Sequence, residues 1–182
     1  MFALAQRAVV LDDSLPLAHT TLGVAYLWQK QHEQAIAEGE RAITLDPNYA
    51  EGYAWLGAIF NLAGRPEEAI GMVEKALGLN PHDPFFYLSI LGSAYRMMGR
   101  YEEAITAFKR ALSRNPNLLP AHVILVASYS ESGQEAEAQA EAAEILRISP
   151  NFSLEGVRQR LPFKDQAELE CFLDGLRKAG LK

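Results

Sequence analysis

The sequence is short of the features that would mark several large functional classes. Cysteine is nearly absent: Cys171 is the only one in 182 residues. That excludes an internal disulfide and a multi-thiolate metal site, and it suits a reducing, cytoplasmic setting. No apolar run approaches the ~18 to 20 residues that a membrane helix needs, so membrane insertion is not expected. The opening stretch MFALAQRAVVLDD lacks a basic region followed by a long apolar core and a small-residue cleavage site, and does not read as a secretory signal. Basic charge is also scarce. Lys and Arg number 17 against 23 Asp and Glu, a formal charge of −6, which argues against nucleic acid as a partner. What remains is 49% apolar and 22% charged, the balance of a chain that folds.

What is present is a repeat. Pro47, Pro81, Pro116 and Pro150 fall at steps of 34, 35 and 34 residues. Leu22-Gly23, Leu56-Gly57 and Leu91-Gly92 keep those steps, and Leu125-Val126 continues them. Three residues beyond the second member comes an aromatic: Tyr26, Phe60, Tyr95 and Tyr129. A turn glycine follows at Gly64, Gly99 and Gly133, with Lys30 in its place in the first copy. Ala35, Ala69, Ala104 and Ala138 keep the register, as do Ala42, Ala76, Ala111 and Ile145.

Each position has a physical reading. A unit of this length holds two helices of about 13 residues and a tight turn, with roughly 3.6 residues per helical turn. The turn glycine closes the first helix. Small residues let the two backbones approach, and Leu and aromatic side chains fill the space beside them. The proline after the second helix stops further winding at no cost in helical hydrogen bonds, and Asp46-Pro47-Asn48 and Asn80-Pro81 are inter-unit turns. One stretch conflicts locally: His122 to Tyr129 is rich in β-branched residues and alone would pass for a strand, but the register of the other copies makes it a helix. The extra residue near His82-Asp83-Pro84 implies a longer turn between the second and third units.

The pattern resembles the tetratricopeptide repeat (TPR) family over about Pro16 to Phe152. The resemblance implies an all-α superhelical solenoid of antiparallel helix pairs, with repeats at 16–49, 50–83, 84–118 and 119–152. Residues 1–15 align with the second helix of a unit whose first helix is missing, since Gln6 to Asp13 match Glu40 to Pro47; this suggests a piece of a longer protein. Beyond Phe152 the period fails. Residues 153–182 are expected to form two capping helices, Ser153–Leu161 with Ser153 as N-cap, and Asp165–Ala179 with Leu169, Phe172, Leu173 and Leu176 on one stripe and Gly180 as its stop. This tail carries six basic and five acidic residues.

Candidate chemistry is thin. His19 and His122 hold the same repeat position and read as packing residues, while His32 and His82 read as turn residues; none has a second ligand at metal spacing. Glu67-Glu68 and Glu102-Glu103 open second helices, where acidic side chains complement the helix dipole. Cys171 has no nearby His and no presenting turn. No catalytic residue, metal site or cofactor is expected.

The resemblance also implies a site. TPR first helices line a concave groove for a peptide or helix. In the first unit its positions are Thr20, Thr21, Val24, Leu27 and Trp28; in the second, Ala54, Trp55, Ala58, Asn61 and Leu62. The third supplies Ser89, Ile90, Ser93, Arg96 and Met97, and the fourth Val123, Ile124, Ala127 and Ser130. Only Asn61 and Arg96 have the character of a carboxylate clamp. The surface is otherwise apolar and small-polar, with Trp28, Trp55, Ile90 and Met97 as anchors. The same helices also carry contacts between repeats, so each position is either groove or core. An amphipathic helix or apolar extended segment is the expected ligand, from the same polypeptide, a second copy or another protein, and a homodimer is one arrangement.

The closing segment, from Phe152 through Leu161-Pro-Phe-Lys-Asp to Leu181, resembles the C-terminal end of bacterial proteins in which TPRs follow a class III adenylate/guanylate cyclase domain, or a winged-helix transcription regulator. It implies a regulatory, non-catalytic role within a larger signalling protein, the catalytic residues lying outside this chain.

Overall fold

The computed structural model describes residues 2–82 and 85–182, and everything regular in them is helical. Eleven helices follow one another: α1 (Phe2–Leu11), α2 (Pro16–Trp28), α3 (His32–Leu45), α4 (Ala50–Leu62), α5 (Pro66–Leu79), α6 (Phe85–Met97), α7 (Tyr101–Arg114), α8 (Leu119–Glu131), α9 (Glu135–Ile148), α10 (Leu154–Arg160) and α11 (Gln166–Lys178). The helices pack as consecutive pairs, α2 with α3, α4 with α5, α6 with α7 and α8 with α9. First helices are all 13 residues long and second helices all 14. The β-branched stretch from His122 to Tyr129 lies inside α8; buried packing against α7 and α9 outweighs its strand propensity. Of the longer turn expected near His82, residues 83 and 84 lie outside the described residues.

The turn within each pair repeats to the atom. The amide of the residue after the turn position donates to the carbonyl of the repeat's aromatic: Gln31 to Tyr26, Arg65 to Phe60, Arg100 to Tyr95 and Gln134 to Tyr129, at 2.8–3.0 Å. This six-to-one bond is the helix-ending motif that requires a left-handed residue. Gly64, Gly99 and Gly133 supply it with φ of 78°, 72° and 79°. Lys30 adopts the same conformation with φ 60° and no glycine. The arginines that follow cover their aromatics, Arg65 over Phe60 at 4.5 Å and Arg100 over Tyr95 at 4.4 Å. At Gly57 the need is space rather than conformation: a Cβ there would meet Val73 at 3.1 Å and the Ala69 carbonyl at 3.2 Å. Val126 fills the equivalent place in α8 and is fully buried.

The chain divides into two compact units, Met1–Asp83 with Pro162–Lys164, and Pro84–Leu161 with Asp165–Lys182. In the first, α1 packs on α2 through Ala5, Leu22 and Ala25, with Phe2 set edge-on to Tyr26 at 5.0 Å; Leu4, Val10 and Leu11 stay exposed. In the second, α11 packs on α8 rather than extending the series of pairs. Its Leu169, Phe172, Leu173 and Leu176 are buried together. Both tail helices are capped. Ser153 accepts from the Gly156 amide at 3.1 Å, Asp165 accepts from the Ala167 amide at 2.8 Å, and Gly180 turns the chain at φ 94°.

Candidate functional site

In the first unit the first helices α2 and α4 lie side by side. Spacing of four, three and four residues puts Leu17, Thr21, Val24 and Trp28 on one stripe of α2, of which Leu17 and Trp28 are 64% and 49% exposed. On α4 the same register carries Trp55, Ala58 and Leu62, all half-buried. Thr20, Leu27, Ala54 and Asn61 are buried instead and belong to the packing between helices. The threonine hydroxyls bond to their own helix, Thr20 to the Pro16 carbonyl at 3.1 Å and Thr21 to that of Leu17 at 2.7 Å. The stripe is therefore apolar in effect.

The non-helical segment Pro162–Lys164 belongs to this unit. Its flanking residues Leu161 and Asp165 are extended. The Lys164 amide donates to the Leu62 carbonyl at 2.9 Å, and its ammonium donates to Glu33 at 2.7 Å. Pro162 and Phe163 are buried. The Lys164 cation holds the Glu33 carboxyl below its ordinary range. His32, which sequence spacing placed in a turn, is instead the buried first residue of α3, because its ring is carried inward as the helix begins. Its Nδ1 has no hydrogen-bond partner among the described residues. Burial first, and Lys164 second, push its pKa down.

In the second unit the predicted positions diverge. Ser89, Ser93, Met97, Ile124 and Ser130 are half-buried, while Ile90, Val123 and Ala127 are buried. Gly175 of α11 lies against Ala127, where a Cβ would come within 3.3 Å of the Ala127 Cα. Arg96 reaches neither solvent nor a groove. It is 4% exposed, donates to Glu131 at 2.7 Å and to Glu168 of α11, and lies over the Phe172 ring at 5.1 Å. Burial opposes charge on both members of the pair. At Arg96 the two carboxylates prevail and hold its pKa up; at Glu131 burial prevails and raises the carboxyl above its ordinary range. Beside this cluster a partly open cleft of about 260 Å³ is lined by Val123, Ile124, Phe152, Val157, Leu161 and Phe172, with Arg160 on its wall.

The residues that sequence reasoning missed are thus Glu131, Glu168, Phe163 and Lys164. One signal was readable: Glu131 stands in register with Trp28, Leu62 and Met97, and a carboxylate in an otherwise apolar register needs a cation.

The remaining candidates are structural. His19 bridges Glu38 at 2.6 Å and the Asp13 carbonyl at 2.9 Å; His122 repeats this with Glu141 and, at 2.9 Å, the Pro116 carbonyl. Both ring nitrogens face acceptors, so each histidine ties its helix to the partner helix and to the preceding turn. Glu68 and Glu103 pair with Arg65 and Arg100 on the surface. Cys171 is exposed, and desolvation with the nearby Glu131 and Glu168 raises its thiol pKa, the opposite of nucleophile activation. Among the described residues no group of three or more His, Cys, Asp or Glu could hold a metal ion, and no helix is long and apolar enough to cross a membrane.

Two family models described as tetratricopeptide repeat match residues 16–49 and 87–118. These segments are tetratricopeptide repeats. No curated protein matches the chain in sequence. Among solved structures, PilW, a type IV pilus biogenesis factor, superposes with a TM-score of 0.76 at 20% identity over 97% of this chain and 79% of its own. TTC0263, a thermophilic TPR protein of Thermus thermophilus, gives 0.74 at 21% identity over 97% and 89%. YrrB, described as a TPR protein with an unusual peptide-binding site, gives 0.61 at 20% identity over 96% and 90%. At these identities the likeness is one of fold: an all-α TPR array of paired helices.

Proposed function

We propose that this chain is a non-catalytic protein-interaction scaffold, and that the first-helix face of its first unit, α2 with α4, is the part open to a partner. The observation that carries this reading is the stripe of Leu17, Val24 and Trp28, on which Leu17 and Trp28 are exposed and Val24 half-buried. A half-exposed Trp on a rigid apolar helix face marks a contact site. Two further facts support it: the Thr21 hydroxyl on the stripe is already paired, and the TPR protein YrrB is described as having an unusual peptide-binding site. The ligand is an apolar helix or extended segment, which fits a face that is apolar in effect.

A photo-crosslinking residue at position 21 tests it in source cells. A discrete crosslinked product should form in the otherwise native chain and vanish with Val24→Asp and Trp28→Ala, while helical circular dichroism and melting stay unchanged. Survival of the product in that variant would overturn the reading. The finer reading, a regulatory array within a larger bacterial signalling protein such as a nucleotide cyclase, rests on the resemblance of the tail alone. An immunoblot against this chain in source cells, read for a band well above 20.1 kDa, tests that.

A further inference from the structure

We infer that the cleft beside α10 in the second unit is a binding site for a small apolar carboxylate, an acid with a short alkyl or aryl body whose anionic end meets Arg160. This goes beyond the interaction face proposed above and stands independently of it, because the two sites lie in different units and share no residue.

The cleft comes from an interrupted repeat. Ser153 stands 34 residues after Leu119, the first residue of α8, so α10 begins where the period sets a fifth first helix. The earlier first helices run for 13 residues, whereas α10 stops after 7. Pro162 disfavours helical backbone at the residue before it, and Leu161 is extended. Helix α11 covers the later half of α8 instead, with Gly175 against Ala127. The earlier half, Leu119, Val123 and Ile124, is left to line the cleft together with Val157, Leu161 and Phe172.

Size and charge narrow the occupant. At about 30 Å³ of liquid volume per non-hydrogen atom, the share of one water, the 260 Å³ hold roughly nine such atoms. That is a small molecule rather than a helix. Arg160 is the one charged residue on the wall, and no Asp or Glu lines the cleft. In the tail, Arg158 is paired with Glu170 and Arg177 with Asp174, while Arg160 has no carboxylate partner among the described residues. An unpaired guanidinium beside an apolar cleft selects a planar anion, which it binds through two parallel hydrogen bonds.

The wall offers little to a peptide. Its other polar side chains are Ser149, Asn151 and Ser153, and the Ser153 hydroxyl is already engaged as the α10 cap. The amides of Val157 and Leu161 already donate to the Ser153 and Val157 carbonyls. Peptide groups seated there lose water without gaining partners. An alkyl or aryl acid has no polar group besides its carboxylate, and the rest of it is buried against Val, Ile, Leu and Phe side chains.

The test titrates the full chain with octanoate and follows methyl NMR shifts. Shifts should saturate at Val123, Ile124, Val157 and Leu161, with a Kd of about 0.1–1 mM. Octanol, the same chain without the charge, should bind about tenfold more weakly. Arg160→Gln, a change at an exposed residue, should weaken octanoate about tenfold or more and leave octanol unchanged. Val157→Phe fills the cleft and should abolish both; should it fail to fold, the wild type and Arg160→Gln decide the matter alone. No saturating shift in the wild type would overturn the inference, as would equal binding of octanoate by Arg160→Gln. Shifts of the same size at the Leu17 and Val24 methyls of α2 would also overturn it, by showing general adsorption to apolar surface. So would tighter binding of a peptide ending in a free Phe carboxylate, which would assign the cleft to a protein terminus.

Discussion

Arg96 and Glu131 meet at 2.7 Å with only 4% and 11% of their side chains exposed. Both come from first helices, α6 and α8, and α11 closes over them by adding Glu168. A buried ion pair contributes little over a well-packed apolar pair, but removing one partner strands the other charge. Arg96→Met should therefore cost about 3–5 kcal/mol by leaving two carboxylates facing each other. Arg96→Met with Glu131→Leu and Glu168→Leu should recover most of that loss. Urea unfolding midpoints check both, and a single variant within about 1 kcal/mol of the wild type would show that the cluster is not closed.

Lys30 occupies the left-handed turn position that glycine holds in the other three repeats. The conformation costs a side-chain-bearing residue about 1–2 kcal/mol, while glycine's greater freedom in the unfolded chain takes back about 0.5–1 kcal/mol. Lys30→Gly should stabilise by about 0.5–1 kcal/mol, a rise of a few degrees in melting temperature. Lys30→Ala keeps the strain and should bring no such rise. Thermal melts of the two variants decide it.

The repeat was legible because its determinants are local. Tyr26, Gly64 and Pro47 act within one turn of their own positions, and a period of about 34 residues exposes them. Even Lys30 was readable as a glycine position held by another residue. The path of the tail was not. Arg96 meets Glu168 across 72 residues of sequence and Lys164 meets Glu33 across 131, and no periodicity relates those pairs. Register places Arg96 on a first helix among the groove positions; its burial follows from α11, whose docking site no repeat pattern encodes. Amphipathic spacing marks the apolar stripe of α11, yet spacing says which face is apolar and nothing about what it meets.

His32 gives the first unit a pH dependence of known sign. Burial lowers its pKa, so the folded chain resists a proton that the unfolded chain takes up below about pH 6.5. The contribution of the neutral ring is present above that value and is lost as pH falls toward and through the lowered folded value. Lys164 lies near enough to add to the effect. His32→Gln removes it. Denaturant midpoints of the wild type and this variant at pH 7.5 and pH 5 should show the wild type losing more stability on acidification, and equal losses would exclude His32 as the source.

Gly175 sets how closely α11 can lie on α8. A Cβ there would stand 3.3 Å from the Ala127 Cα and 3.6 Å from its carbonyl oxygen, backbone atoms that cannot swing aside. Gly175→Ala gains about 1 kcal/mol of helix propensity and gives some of it back in that contact, so its net change should stay within about 1 kcal/mol. Gly175→Leu has no such offset: its branches must enter the seam between the helices, at a cost of about 1–3 kcal/mol. Because the contact is confined to α11 and α8, hydrogen exchange should quicken at α11 amides in the Leu variant while α2 to α5 keep their protection. A Leu variant that matches the Ala variant in both stability and exchange would show that α11 does not depend on this close approach.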